Sequence, residues 1–530
     1  MPSLQQGKKI KLIISAPRNS NIMGRTKPTL FMDQTILATE ADEVPKVFAI
    51  IQNETAEAIA EKYGIPVSLI KQPQVISHGS VLNALLNELP EIDFREKGQL
   101  ESSETIGRKH YIIISNEAIL EVAQSNCWSL CMSEGYVYVF NGAYWKQLTK
   151  ESILSFLGKG ALKLGVDEFE AKHYKFRIEL YNQFLSTAYL PRPEKKGNEV
   201  LINLQNGSFV ITPDRQYLKE FDRNDFITHQ LNFAYDPEAS AVKFQKYLDE
   251  VLPDKTLQMV LAEFIGYVFV KPKTLKLEKA LILFGNGANG KSVFFEIIIA
   301  MLGPENVCNY SLHSLTNETG YFRARLADKL LNYASEISPK MDSTFFKQLV
   351  SCEPIEARLP YKEPFLISEY AKLMFNTNLL PKEIENNEAF FRRFILIPFS
   401  VTIPEERRDP TLAQTIIEEE LDGVFNWVLE GLKRILINKG FTHSDVIDKS
   451  IEEYRQQSDT VFMFLEEENF THDTKKEKPL ADLYNLYKEY CSVCGFKGCS
   501  RKTFADRLRA LKYSVIRKSQ GNMVGVSKKS

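Results

Sequence analysis

Long hydrophobic runs are missing from these 530 residues. A membrane-spanning helix needs roughly 20 consecutive apolar residues. The longest apolar runs here, around 280–284 and 390–399, have only strand length. Lys8, Lys9 and Lys11 stand near the start, but the adjoining IKLIIS is too short to be the core of a signal peptide. The expectation is a cytoplasmic protein with no membrane partner. Cysteine is scarce and odd in number, seven in all, which excludes a fully paired disulfide scaffold. Cys491, Cys494 and Cys499 lie close together, but structural zinc wants four ligands. The nearest candidate fourth ligand, His472, is well upstream, so no zinc is expected. Net charge is small as well: 66 Lys and Arg against 68 Asp and Glu leave −2. A surface that gripped nucleic acid everywhere would be basic, so any such binding must come from local patches.

What is present is the 44% hydrophobic and 25% charged composition of a globular protein, at a length that calls for several domains. Residues 1–135 are the least readable part. They mix basic and polar segments (8–27), a helical piece (54–63) and a strand-like HYIIIS from His110. A second region, 136–270, opens with YVYVFNGAYWKQLT, a strand, an Asn-Gly turn and a strand. It continues through helices over about 151–190 and a small hairpin, LINLQNGSFVITPD, whose turn is expected at Asn206–Gly207. A helical pair, 239–251 and 255–270, is broken by VLPDK. Residues 271–440 alternate strands and helices, which predicts an α/β core. The final region, 441–530, holds a helical stretch near 451–467, then the charged THDTKKEKP, then a compact tail.

The α/β region carries Gly285-Asn286-Gly287-Ala288-Asn289-Gly290-Lys291-Ser292, a full G-x-x-x-x-G-K-[ST] match. An apolar strand, Ala280–Phe284, precedes it and an apolar helix, 293–302, follows. The glycines let the backbone curl so that its N–H groups face phosphate oxygens. The helix start adds its positive end. Lys291 is expected to reach the β- and γ-phosphates of ATP, and Ser292 to ligate Mg²⁺.

Such a loop needs an acidic partner at the tip of a neighbouring strand. In KLLNYASEIS, residues 330–334 read as the strand, and Glu336 is the candidate base that polarises water, with a further role toward Mg²⁺. Ser335 precedes it, where many such ATPases have Asp. A further strand in AKLMFNTNLLP ends in Asn376-Thr377-Asn378, and Asn378 is the candidate that orients the attacking water. Asparagine at a strand end is otherwise a turn former. In EAFFRRFILIPF, Arg392 and Arg393 stand between apolar positions. Buried arginines are costly unless they meet anions. An arginine finger reaching a neighbouring subunit's γ-phosphate would account for them; a structural salt bridge is the alternative for one of the two.

These four pieces, in this order and spacing, resemble superfamily 3 helicases of poxviruses, phages and plasmids, above all the phage and plasmid primase–helicase family. INLQNGSFVI, NFAYDPEA, LAEFIGYVFV, SCEPIEARLPYKEPFLI and FFRRFILIPF carry the likeness, which covers about Tyr136 to the C-terminus. The resemblance implies an AAA+-like P-loop ATPase core in a self-associating, hexameric ring. It implies translocation on single-stranded and forked DNA during replication, usually 3′ to 5′. It also implies a hairpin in the ring channel, which would fall at 356–364, with Arg358 and Lys362 as cations and Tyr361 for base stacking. Lys279 matches more loosely a lysine that reaches the adjacent subunit's nucleotide.

In the tail, Ser500 can cap a helix over 501–511 whose stripe is Phe504, Leu508 and Leu511. Arg501, Lys502 and Arg507 contribute to its basic face, and two strands with a Gln-Gly-Asn turn follow. This looks like a DNA-binding winged helix, often present at this place in the family. Before Tyr136 there is no Asp-x-Asp pair backed by His that would suit primase metal chemistry. The expectation is a helicase without priming activity, served by a separate primase. The alternatives are a divergent N-terminal primase and an ATP-switched initiator or scaffold with little unwinding.

Overall fold

The computed structural model describes residues 13–14, 30–31, 75–133, 135–190, 199–335, 337, 342–360, 363–378, 380, 388–519 and 521–528. Most of the basic segment 8–27, the helical piece 54–63, Glu336, Tyr361 and Lys362 therefore lie outside the described residues. The chain divides into two compact units, Met1–Gly142 with Gln147–Pro191, and Ala143–Lys146 with Arg192–Ser530.

The first unit packs the helices His78–Glu88, Arg108–Ser125, Lys150–Lys163 and Tyr174–Thr187 around one apolar core. Phe176, Leu180 and Phe184 recur every four residues, so one helix face is apolar and buried. Thr149 caps Lys150–Lys163 by accepting the Ser152 N–H at 3.2 Å. One expectation fails here. The HYIIIS run, read as a strand, lies inside the helix Arg108–Ser125. Ile114, Ala118, Ile119 and Ala123 follow helical spacing and are buried, and that packing overrides the β preference of three consecutive isoleucines.

In the second unit, Val200–Leu204 pairs with Gly207–Ile211, followed by Gln216–Lys219. The turn falls on Gln205 and Asn206, one residue earlier than expected, because Leu204 already pairs with Gly207. Gly207 (φ +148°) lets the third strand approach: a Cβ there would sit 2.5 Å from the Lys219 carbonyl oxygen. The helices Val242–Val251 and Lys255–Tyr267 form the expected pair.

The centre is a five-stranded sheet of β1 (Ala280–Phe284), β2 (Val307–Cys308), β3 (Leu331–Ala334), β4 (Lys372–Thr377) and β5 (Phe394–Pro398). Its order is β2-β3-β4-β1-β5 and every pairing is parallel. β1 and β5 read as continuous apolar runs because both faces of the sheet are covered. The chain leaves β1, crosses to the far edge at β2, and returns, so β1 lies at a topological switch. In such sheets ligands bind at the carboxyl ends of the strands by that switch. The helices Lys255–Tyr267 and Leu421–Asn438 lie in near-backbone contact: a Cβ on Gly431 would fall 2.3 Å from the Ala262 carbonyl carbon. The fully buried Glu263 accepts from Arg434 Nε (3.1 Å), the Thr442 N–H (2.8 Å) and Thr442 Oγ1 (2.5 Å).

At the C-terminus the helices Thr460–Glu467, Leu480–Cys494 and Arg501–Ala510 share a core with an antiparallel sheet of Phe470–Pro479, Gly521–Lys528 and Val515–Lys518 in that spatial order. The charged THDTKKEKP, expected to be a connection, is instead part of the first of these strands. It is an edge strand with a register shift between His472 and Glu477, and its Lys475 and Lys476 face solvent. No apolar alternation marks such a strand.

Candidate functional site at the parallel sheet

The turn after β1 is pinned from three directions. Gly285 has φ +150°, and a Cβ there would lie 2.3 Å from the Phe399 carbonyl oxygen. Asn289 is buried and donates its amide to that same oxygen at 2.9 Å. The Ile403 N–H bonds the Ala288 carbonyl (2.8 Å), and Tyr247 donates its hydroxyl to the Gly290 carbonyl (2.8 Å). Gly290 has φ +87°, and a Cβ would press on Val251 at 2.7 Å. Between these anchors Asn286, Gly287 and Ala288 remain exposed. The helix Lys291–Leu302 begins at once and buries Phe294, Ile297, Ile298 and Met301.

Lys291 is buried, with its ammonium on the Gly285 carbonyl (2.7 Å) and Asn289 Oδ1 (3.0 Å). Both acceptors are neutral, and among the described residues no carboxylate pairs with it. Burial pulls its pKa below that of a solvated lysine. Ser292 is exposed in the first helical turn.

Two neighbouring strand tips complete the rim. Ser335, just past β3, lies in the same cleft; Glu336 follows it outside the described residues. Asn376 near the end of β4 is buried, accepts the Tyr333 hydroxyl (2.9 Å) and donates to the Lys291 carbonyl (3.4 Å). It therefore ties the strand to the helix start, while Asn378, on the same face two residues on, is exposed at the cleft. The cleft has a volume of about 1,320 Å³. Tyr247, Arg408 and Phe496 line it too. The sequence reading did not single them out, since nothing local marks them.

Arg392 and Arg393 part company. Arg393 is buried against the Ser351 hydroxyl (3.3 Å), the Ala389 carbonyl and Glu278 Oε2 (3.6 Å). Arg392 is exposed, 3.7 Å from the same carboxylate. Lys279 donates to the Arg392 carbonyl at 2.6 Å, so its amine is engaged within its own chain.

Ile355–Ala357 and Phe365–Ile367 form the expected hairpin, with Ala357 opposite Phe365. The buried Arg323 holds its base by donating to the Glu356 carbonyl (2.8 Å) and lies 4.2 Å from the Phe345 ring. Arg358 is exposed beyond that base; Tyr361 and Lys362 fall outside the described residues. At the C-terminus Ser500 caps Arg501–Ala510, accepting the Thr503 N–H at 3.2 Å. Arg501 and Lys502 are exposed. Arg507 is turned inward onto Asp459 at 3.0 Å, the carboxylate that caps Thr460–Glu467. Among the described residues no cluster of His, Cys, Asp or Glu suits a metal, and no helix is long and apolar enough to cross a membrane.

Fold and site together define a mixed α/β protein, built on a parallel sheet with a glycine-rich strand-to-helix loop at its carboxyl edge. Three families match parts of it: D5 N terminal like over residues 116–253, a family of unknown function (DUF5906) over 283–393, and poxvirus D5 protein-like over 456–523. A helicase-named protein of Acanthamoeba polyphaga mimivirus, L207/L206, is 24% identical over 326 residues, which cover 55% of this chain. The match spans about a third (33%) of that relative's length. Two structures of the NrS-1 C-terminal region align over 78% and 77% of this chain and 98% of theirs, at 13% and 12% identity and TM-scores of 0.44 and 0.41. Separate segments of the chain are thus similar to the D5 N terminal-like and poxvirus D5 protein-like families and to a helicase-named relative.

Proposed function

We propose that the chain is an ATP-hydrolysing superfamily 3 helicase that moves along single-stranded DNA as a ring, with the loop 285–292 as its phosphate cradle. The observation that carries this reading is the buried Lys291 ammonium, held by two neutral oxygens beside an exposed loop. A cation withdrawn from water with no carboxylate partner among the described residues fits an anion supplied by substrate. The phosphates of ATP would meet Lys291 and the N–H groups at the helix start.

Ser292 suits Mg²⁺, because its hydroxyl is exposed at the head of the helix. The hydroxyl of Ser335 in place of a carboxylate leaves the remaining charge to Glu336 and the phosphates. When bound, the ion neutralises phosphate charge. Glu336 would polarise the attacking water and Asn378 would orient it. Arg392, as the exposed member of its pair, would act as the finger toward a neighbouring subunit; Arg393 would hold the segment in place. Arg358, with Tyr361 and Lys362, would contact the DNA strand. The C-terminal module would act as a winged helix, with Arg501 and Lys502 on phosphates.

Unwinding of a forked duplex with ATP and Mg²⁺, beside the Glu336→Gln protein, tests this. Separation by the wild type alone is expected. ATP-dependent DNA binding without strand separation would sink the motor in favour of an ATP-switched initiator.

A further inference from the structure

The cleft beside the loop combines two kinds of lining. Lys291, Ser292 and Asn378 make one part polar. Val251, Ile403 and Leu412 make another part apolar, and Phe496 joins them from the C-terminal module. Gly495 caps the helix Leu480–Cys494 in a left-handed conformation (φ +71°), and the Phe496 N–H then bonds the Cys491 carbonyl at 2.8 Å. This turn fixes where the ring goes. The ring is half-buried: it packs on the C-terminal core, 6.2 Å from the Tyr490 ring, and also lines the cleft.

We propose that Phe496 stacks on the base of the bound nucleotide, so that a residue of the C-terminal module completes the nucleotide site of the same chain. This rests on the reading of 285–292 as a phosphate cradle. A nucleoside triphosphate has an anionic end that suits Lys291 and a flat aromatic end that suits an apolar wall with a ring in it. The cleft, at about 1,320 Å³, has room for both. Aromatic stacking on a base is sequence-tolerant and strong enough to show in affinity. Binding at both ends would hold the module against the motor whenever nucleotide is present.

The test compares ATP with inorganic tripolyphosphate, which has the anionic end and no base, by calorimetric titration of the full chain. Phe496→Ala is expected to weaken ATP on the order of tenfold and leave tripolyphosphate unchanged. Retained tripolyphosphate binding also shows that the variant is folded. Phe496→Trp is expected to keep ATP affinity and to show quenching by ATP, beyond that of the wild type, that tripolyphosphate does not cause. Equal weakening of both ligands would reduce Phe496 to a packing residue and overturn the proposal, as would unchanged ATP affinity in Phe496→Ala. If Lys291→Ala binds tripolyphosphate as well as the wild type does, the phosphate reading itself fails, whatever Phe496 does.

Discussion

Glu263 and Lys291, both of the second unit, are among the charged groups withdrawn from water, and the chain treats them differently. Glu263, between the helices Lys255–Tyr267 and Leu421–Asn438, receives a guanidinium, a backbone N–H and a hydroxyl from its own chain. Lys291, at the carboxyl edge of the parallel sheet, receives two neutral oxygens. The first is a clasp, complete in itself. The second, among the described residues, has no carboxylate partner and stands beside an open cleft. On the proposed reading, the contrast separates a charge that serves folding from one that serves a ligand.

The largest effect that would sharpen this contrast is on activity. Lys291→Ala should bring ATP hydrolysis to background in a phosphate-release assay while leaving the melting temperature near that of the wild type. A variant that unfolds instead would erase the distinction. Next, Arg392→Ala should lower turnover by about a thousandfold while still binding ATP. Mixing it with Lys291→Ala subunits should restore part of the activity, and a complete lack of rescue would remove the action in trans. Glu263→Ala breaks the clasp and takes the carboxylate from Arg434; a loss of about 3–5 kcal/mol is expected in urea unfolding. Its turnover per folded molecule should be unchanged. The smallest effects concern the tail. Arg507→Ala should cost about 1 kcal/mol of stability through the lost Asp459 pair, with little change in DNA binding. Arg501→Ala should do the reverse, lowering the salt dependence of DNA binding by about one phosphate contact.

The parts that were legible in the sequence share a physical cause. Ala280–Phe284 is an unbroken apolar run because both faces of the sheet are covered, and GNGANGKS follows it directly. The pair Val242–Val251 and Lys255–Tyr267 was readable from its break, VLPDK, where Asp254 caps the second helix. The misreadings have causes too. Ile112, Ile113 and Ile114 argue for a strand locally, yet they sit in an 18-residue helix whose buried face is set by partners elsewhere. Phe470–Pro479 has few apolar residues because it lies at a sheet edge, where only one side needs pairing and the charges face water.

The candidate site divides the same way. Gly285 to Ser292 stood out as a candidate because a backbone able to curl around phosphate needs particular residues in succession, and succession is what a sequence records. By itself the sequence determined that loop, the strand before it, the helix after it and the acidic and amide strand tips as candidates. The tertiary structure alone decided which of two adjacent arginines faces solvent, that Arg507 turns inward to Asp459, and that Tyr247 and Phe496 join the cleft. Burial is set by groups far apart in the chain. Glu278 and Ser351 hold Arg393 from 115 and 42 positions away (393 − 278 and 393 − 351), and no local pattern around Arg393 announces them.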